Sequence, residues 1–135
     1  MILGAIRKVG TGTLTLSGDH NSFTGGTTIS AGVLQIGNGG ATGSLPGNVV
    51  TNGALSFNRN NTMTFTGTIS GSGEVRQVGT GTTVLTGINT YPGGTKISGG
   101  TLTIENAAAL GTGDVTIENG HQLIYGARWR GCITR

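Results

Sequence analysis

The chain states one pattern twice. Residues 9–36 read V-G-T-G-T-L-T-L-S-G-D-H-N-S-F-T-G-G-T-T-I-S-A-G-V-L-Q-I, and residues 78–104 read V-G-T-G-T-T-V-L-T-G-I-N-T-Y-P-G-G-T-K-I-S-G-G-T-L-T-I. Val9 corresponds to Val78, an offset of 69 (78 minus 9). His20 has no counterpart in the second copy. Beyond it Asn21, Phe23, Gly25, Gly26, Thr27, Ile29, Gly32, Leu34 and Ile36 correspond to Asn89, Tyr91, Gly93, Gly94, Thr95, Ile97, Gly100, Leu102 and Ile104 at an offset of 68 (89 minus 21). A period this long points to stacked units that bury their faces against one another. Gly4–Val9 also aligns with Gly73–Val78, so the chain is expected to begin at the tail of an earlier repeat.

A shorter beat runs inside the long one. A glycine followed by two apolar residues two apart recurs at Gly12 (Leu14, Leu16), Gly32 (Leu34, Ile36), Gly53 (Leu55, Phe57) and Gly100 (Leu102, Ile104). Gly12, Gly32 and Gly53 follow one another at roughly 20 residues, as do Gly81, Gly100 and Gly120, a spacing typical of solenoid repeats. Thr13–Leu16 and Thr62–Thr66 alternate apolar residues with threonine, the two-residue period of a half-buried strand. Threonine is β-branched and suits the outer, pleated face. Leu14, Leu16, Ile29, Leu34, Ile36, Leu55, Phe57, Phe65, Leu85, Leu102 and Ile104 are then expected to point inward. Further strands are expected at Thr27–Ser30, Asn48–Thr51, Thr62–Ile69, Thr95–Ser98 and Asp114–Ile117.

An α/β protein needs continuous apolar strands and crossover helices. Here the strands alternate, and Asn106–Leu110 offers one helical turn at most. The expected fold is therefore all-β: a right-handed parallel β-helix (β-solenoid) of five to six coils of roughly 20 residues. At about 4.8 Å per coil such a rod is roughly 25–30 Å long. Glycine contributes 28 of 135 residues, as tight corners with positive φ require. Asn-Gly at 38–39, 52–53 and 119–120 marks turns. The same dipeptide makes hairpins, so an antiparallel sandwich is the alternative fold; the internal repetition argues against it.

The repeats divide the chain into residues 1–8, the end of a preceding repeat; 9–77, a first long repeat; 78–126, a second, shorter repeat; and 127–135, an off-pattern tail. That tail holds the only Trp, the only Cys and three of the eight basic residues, Arg128, Arg130 and Arg135. Without them five bases face five acids, so no basic stripe exists for nucleic acid. One cysteine allows neither a disulfide framework nor a thiolate zinc site. Met1–Ile6 is too short for a signal peptide's apolar region, and Arg7-Lys8 follow it rather than precede it. No apolar run reaches the roughly 18 residues of a membrane-spanning helix.

These residues resemble a known family. G-T-G-T-L-T-L-S-G-x-x-N-S-F-T-G-G-T-T-I-S-A-G-V-L-Q-I-G, closing on Gly-Ser-Leu at 43–45, is similar to the passenger-associated transport repeat of bacterial autotransporters. The second copy, Gly79 to Ile104 and closing on Ala-Leu-Gly at 109–111, is similar as well. With the intervening strands the resemblance covers about residues 4 to 125. It differs in carrying Thr83 where the first copy has Leu14. The resemblance implies a β-helical passenger on the outer surface of a Gram-negative bacterium, exported with a C-terminal β-barrel translocator. The implied partners are flanking coils of the same passenger and that barrel, with a host surface glycan or protein as a further one.

Five sequence patterns bear on possible chemistry. A glycosidase needs two carboxylates about 5–10 Å apart. Asp114 and Glu118 share a strand face but lie roughly 13 Å apart at about 3.3 Å per residue; Glu105 and Glu118 could meet only across coils. A metal needs at least three converging ligands, and His20 and His121 sit singly beside turns. Gly111-Thr-Gly-Asp114 occurs once, whereas calcium β-rolls repeat their aspartate. Gly10-Thr-Gly12 and Gly71-Ser-Gly73 lack the Lys-Ser/Thr and the helix of a phosphate loop. Asn60-Asn61-Thr62 is formally a glycosylation acceptor, a pattern frequent by chance. No catalytic, cofactor or metal residue is assigned. The candidate residues are turn anchors: Asn21, Phe23, Gly25 and Gly26 in the first copy, Asn89, Tyr91, Gly93 and Gly94 in the second. The aromatics are expected to clamp the corner, with Asn21 and Asn89 bonding backbone that the turn leaves unpaired; sugar binding by Phe23 and Tyr91 is the other reading.

The functional expectation is a non-enzymatic stalk segment supporting export and surface display, extracellular or at the outer-membrane surface. Its alternatives are an adhesin binding host glycan or protein and, third, a polysaccharide-degrading β-helix enzyme.

Overall fold

The computed structural model describes residues 4–18 and 25–125, together with the backbone of Cys132–Thr134. Strands numbered in chain order form three sheets. The first holds β1 (Ile6–Lys8), β3 (Thr27–Ile29), β5 (Val49–Thr51) and β8 (Ile69–Ser70). The second holds β2 (Thr13–Leu16), β4 (Val33–Ile36), β6 (Ala54–Phe57), β9 (Glu74–Gln77), β11 (Thr95–Ile97) and β13 (Val115–Ile117). The third holds β7 (Thr62–Phe65), β10 (Thr82–Leu85), β12 (Thr101–Ile104), β14 (Gln122–Tyr125) and β15 (Cys132–Thr134). Consecutive strands up to β14 lie in different sheets, so the chain winds as a three-sided β-solenoid of about six turns.

Pairing fixes the winding. Of twelve strand pairings among the described residues, eleven are parallel; β14 with β15 is antiparallel. This rules out the antiparallel sandwich. In the second sheet Leu14, Leu34, Leu55, Val75, Thr95 and Val115 stack in register, each one coil beyond the last. In the third, Phe65, Leu85, Ile104 and Tyr125 do the same. These columns form the core, and Ile29, Leu34, Ile36, Leu55, Phe57, Phe65, Leu85, Ile97 and Leu102 are fully or almost fully buried. Phe57 and Phe65 meet across two sheets, ring centroids 5.8 Å apart and tilted by 53°, within the range of favourable aromatic pairs.

Three expectations need correction. Leu14 is 38% exposed, because β2 is an edge strand with a partner, β4, on one side only. Thr62–Ile69 is two strands, β7 and β8, in different sheets. Its break falls at Gly67, where a Cβ would stand 2.1 Å from the Gly47 carbonyl oxygen of the coil before. Threonine is also not confined to the outside: Thr27, Thr51, Thr83 and Thr95 are buried. Their methyl groups fill the narrow interior as valine would, and their hydroxyls then need partners.

Candidate functional site

The second-copy corner lies between β10 and β11, at the edge where the first sheet would continue past β8. The chain makes no regular strand there, and side chains extend the ladder. Asn89 is 3% exposed. Its Oδ1 accepts from the Ile69 N–H of one coil at 2.8 Å, and its Nδ2 donates to the Ala109 carbonyl of the next at 2.6 Å. One amide thus bonds both neighbouring coils at a spacing of 20 residues each way. Tyr91 is fully buried, and its hydroxyl lies 2.7 Å from Thr95 Oγ1. Burial raises its phenol pKa from 10.0 to about 12, against the opposing effect of the Thr95 hydrogen bond. Its ring faces the interior and offers no surface to a sugar. Gly94 has φ +97°, and a Cβ at Gly93 would lie 2.4 Å from the Gly73 carbonyl oxygen. The corner therefore needs glycine twice, once for conformation and once for space.

In the first copy Asn21 and Phe23 lie outside the described residues. Gly26 has φ +82°, and a Cβ at Gly25 would stand 2.8 Å from the Ala5 nitrogen, so this pair repeats the two constraints. Thr27, the counterpart of Thr95, is buried with an unpartnered Oγ1. The sequence counterpart of Tyr91 is Phe23, which has no hydroxyl to give.

The structure adds anchors that the sequence reading did not single out. Lys8 is 7% exposed, and its Nζ donates to the carbonyls of Val9 (2.8 Å), Gly10 (3.0 Å) and Ala31 (3.4 Å). Its counterpart at the 69 offset, Gln77, is 1% exposed and donates through Nε2 to Gly79 and Gly81, each at 3.2 Å. Gln35 bonds Gly37 in the same way at 2.9 Å. Each is a long polar side chain that ends or nearly ends a strand and turns back to the carbonyl two residues on. The signal was available: Lys8 and Gln77 align, and both fall at inward positions of their strands. Asn48 and Asn52 accept from the N–H groups of Thr68 and Ser72, 20 residues on, and Asn106 donates to Thr86, 20 residues back. Arg59 forks onto the carbonyls of Gly43 (2.7 Å) and Ala41 (2.9 Å), holding a segment that lacks a strand of its own.

Tyr91 bonds Thr95 of its own corner, and Gln35 and Gln77 bond carbonyls close by in the chain; Asn48, Asn52, Asn89, Asn106 and one bond of Lys8 join one coil to the next. The carboxylates are used differently. Glu74 pairs with Arg76 on the surface, and Glu118 lies 3.9 Å from Lys96. Glu105 follows β12 in the third sheet whereas Glu118 follows β13 in the second. Among the described residues no three His, Cys, Asp or Glu side chains gather as metal ligands. His20 lies outside the described residues.

The model of the passenger-associated-transport-repeat family matches residues 6–36 and 75–104, the two copies of the pattern. The chain carries passenger-associated transport repeats. The adhesin BmaC autotransporter of Brucella suis biovar 1 (strain 1330) is 49% identical to this repeat segment over 102 residues. Those residues are 75% of the segment and 3% of that relative, so the segment spans a small fraction of the relative's length. No solved structure matches. The segment is thus a β-helical stalk piece of an autotransporter passenger, exposed at the surface or associated with the outer membrane of a Gram-negative bacterium. In such a piece, corners that bond coil to coil are the parts on which the winding depends.

Proposed function

We propose that the segment is a non-enzymatic spacer whose coils support export of the passenger and hold its distal parts away from the membrane. The observation that carries this reading is the destination of the buried polar side chains. Asn89, Lys8 and Gln77 all bond backbone of their own or an adjacent coil. Each coil contacts only its neighbours, so folding can proceed one coil at a time as the chain emerges. The residue divisions 9–77 and 78–126 group those coils into a long repeat and a second, shorter one. Asn21, Phe23, Gly25 and Gly26, with Asn89, Tyr91, Gly93 and Gly94, serve as its structural anchors. Its partners are the flanking coils and an outer-membrane β-barrel translocator. In the passenger that carries this segment, Asn89→Leu should lower the amount displayed on intact cells, while the exposed change Thr64→Ala should not. Equal display of both variants would refute the spacer reading.

A second reading, a host-binding surface within the segment, is favoured by the word adhesin in the relative's name. Host glycan or protein would then meet the outer faces, since Tyr91 is enclosed. Binding of the purified segment to an array of host glycans, lost on outward substitutions such as Lys96→Ala, would support it.

A further inference from the structure

The two copies of the repeat do not lie on the same sides of the rod. In the first copy β1 belongs to the first sheet, β2 to the second, β3 to the first and β4 to the second. Their counterparts at offsets of 69 and 68 are β9 in the second sheet, β10 in the third, β11 in the second and β12 in the third. Every counterpart is displaced by one side in the same sense. The first-sheet column takes β1 to β8 in three coil steps, through β3 and β5, and β9 follows on the next of three sides. The long period is therefore three and one-third coils. That count agrees with the paired columns, where one coil takes roughly 20 residues.

The outer surface shows the same rotation. A recess in the first copy is lined by Gly25, Gly26, Thr27 and Thr28 with Asn48 and Val50 of the next coil. A second is lined by Gly93, Gly94, Thr95 and Lys96 with Asp114 and Thr116 of the next coil. The first four residues of each correspond one to one in the repeat. The recesses are similar in size, about 340 and 300 Å³. Both are floored by glycines whose side-chain space the neighbouring backbone limits. One opens beside the first sheet and the other beside the second.

We infer that the passenger repeat is a screw element: each long period turns its own surface features by one third of a revolution and advances them about 16 Å, at about 4.8 Å per coil. Three periods make ten coils and return a feature to its starting side. A partner that recognises the exterior of one repeat meets the next copy on a different side, so two rigid partner molecules engage adjacent repeats without sharing a face. A period of whole coils would instead line all copies up along one side.

Spin labels on cysteine pairs test this in the full chain, in a Cys132→Ser background. Lys96 lies in one column with Gln35, three coil steps away through Ser56 and Arg76. Its repeat counterpart Thr28 lies on another side, paired with Arg7 and Val50. The Gln35→Cys/Lys96→Cys pair should give the shorter distance, about 14 Å between backbones at the coil spacing, and the Thr28→Cys/Lys96→Cys pair a clearly longer one. Whole-coil repeats predict the reverse order, and either that order or equal distances would overturn the inference. Each pair is read against circular dichroism of the unsubstituted chain. Should a label unfold one pair, Arg76→Cys/Lys96→Cys and Ser70→Cys/Lys96→Cys compare the same two sides nearer to Lys96. Arg76 is the column neighbour of Lys96, and Ser70 continues the column of Thr28 through Val50. The same two outcomes apply.

Discussion

At the scale of single residues, the interior of this rod is held by side chains that behave as backbone. Asn89 replaces two ladder bonds where the chain turns away from the first sheet. Asn89→Leu leaves a buried N–H and a buried carbonyl unpaired, each costing about 1–3 kcal/mol. Urea denaturation should show a loss of roughly 2–6 kcal/mol by that reckoning, and an unchanged midpoint would remove Asn89 from the account. Tyr91 makes a pH-dependent contribution. Its phenol pKa in the fold, about 12, exceeds the 10.0 of the unfolded chain. The stability it lends is complete below pH 10 and is lost as pH rises from 10 toward about 12. At about 1.36 kcal/mol per pH unit this amounts to roughly 2–3 kcal/mol. Tyr91→Phe should be less stable than the parent at pH 7, because the buried Thr95 hydroxyl loses its partner. The gap should narrow by pH 11.5, and a gap constant from pH 7 to 11.5 would contradict this.

At the scale of elements, the corners decide where strands stop. Gly53 has no positive φ, yet a Cβ there would lie 2.3 Å from the Gly32 carbonyl oxygen. Gly12 has the same place in the beat, but a Cβ there would meet nothing within 4 Å. Gly12→Ala should leave stability unchanged or raise it by up to about 1 kcal/mol through the unfolded state. Gly53→Ala forces two coils apart and should cost more than that. Equal effects in thermal unfolding would contradict the close stacking of corners. Much of this was legible in the sequence. Alternation in Thr62–Phe65 marked an inward face, and the recurring glycines marked the coil. The interior threonines were not legible, since β-branched threonine fits either side of a pleat and only the columns show that Thr83 lies between Met63 and Leu102. Lys8 and Gln77 left only their alignment at inward strand positions as a trace: a long polar side chain reads as surface until turn carbonyls are seen to converge on it.

At the scale of the whole molecule, self-similarity announced stacking, and the beat gave the coil length. The rotation between copies went unread, because the long period is not a whole number of beats and the remainder means nothing until sides are counted. The ends of the stack carry the remaining consequence. β2 and β13 are the edges of the second sheet, with Leu14 38% and Val115 37% exposed, and an apolar cavity of about 620 Å³ lies among Ile104, Leu110, Val115, Ile117, Leu123 and Tyr125 in the last coil. Unpaired edges seed association. Light scattering of the isolated chain should show mass growing with concentration, and a single monomeric species at high concentration would contradict that expectation.

The stacking itself is tested most directly by disulfide mapping. Thr64 and Val84 are outward neighbours on adjacent coils of the third sheet, paired in parallel. In a Cys132→Ser background, Thr64→Cys with Val84→Cys should close a disulfide readily, because parallel neighbours about 4.8 Å apart fall within disulfide reach. Thr64→Cys with Thr80→Cys or Ile88→Cys, off register to either side of Val84, should not. Closure of an off-register pair in preference to Thr64 with Val84 would contradict the in-register parallel winding.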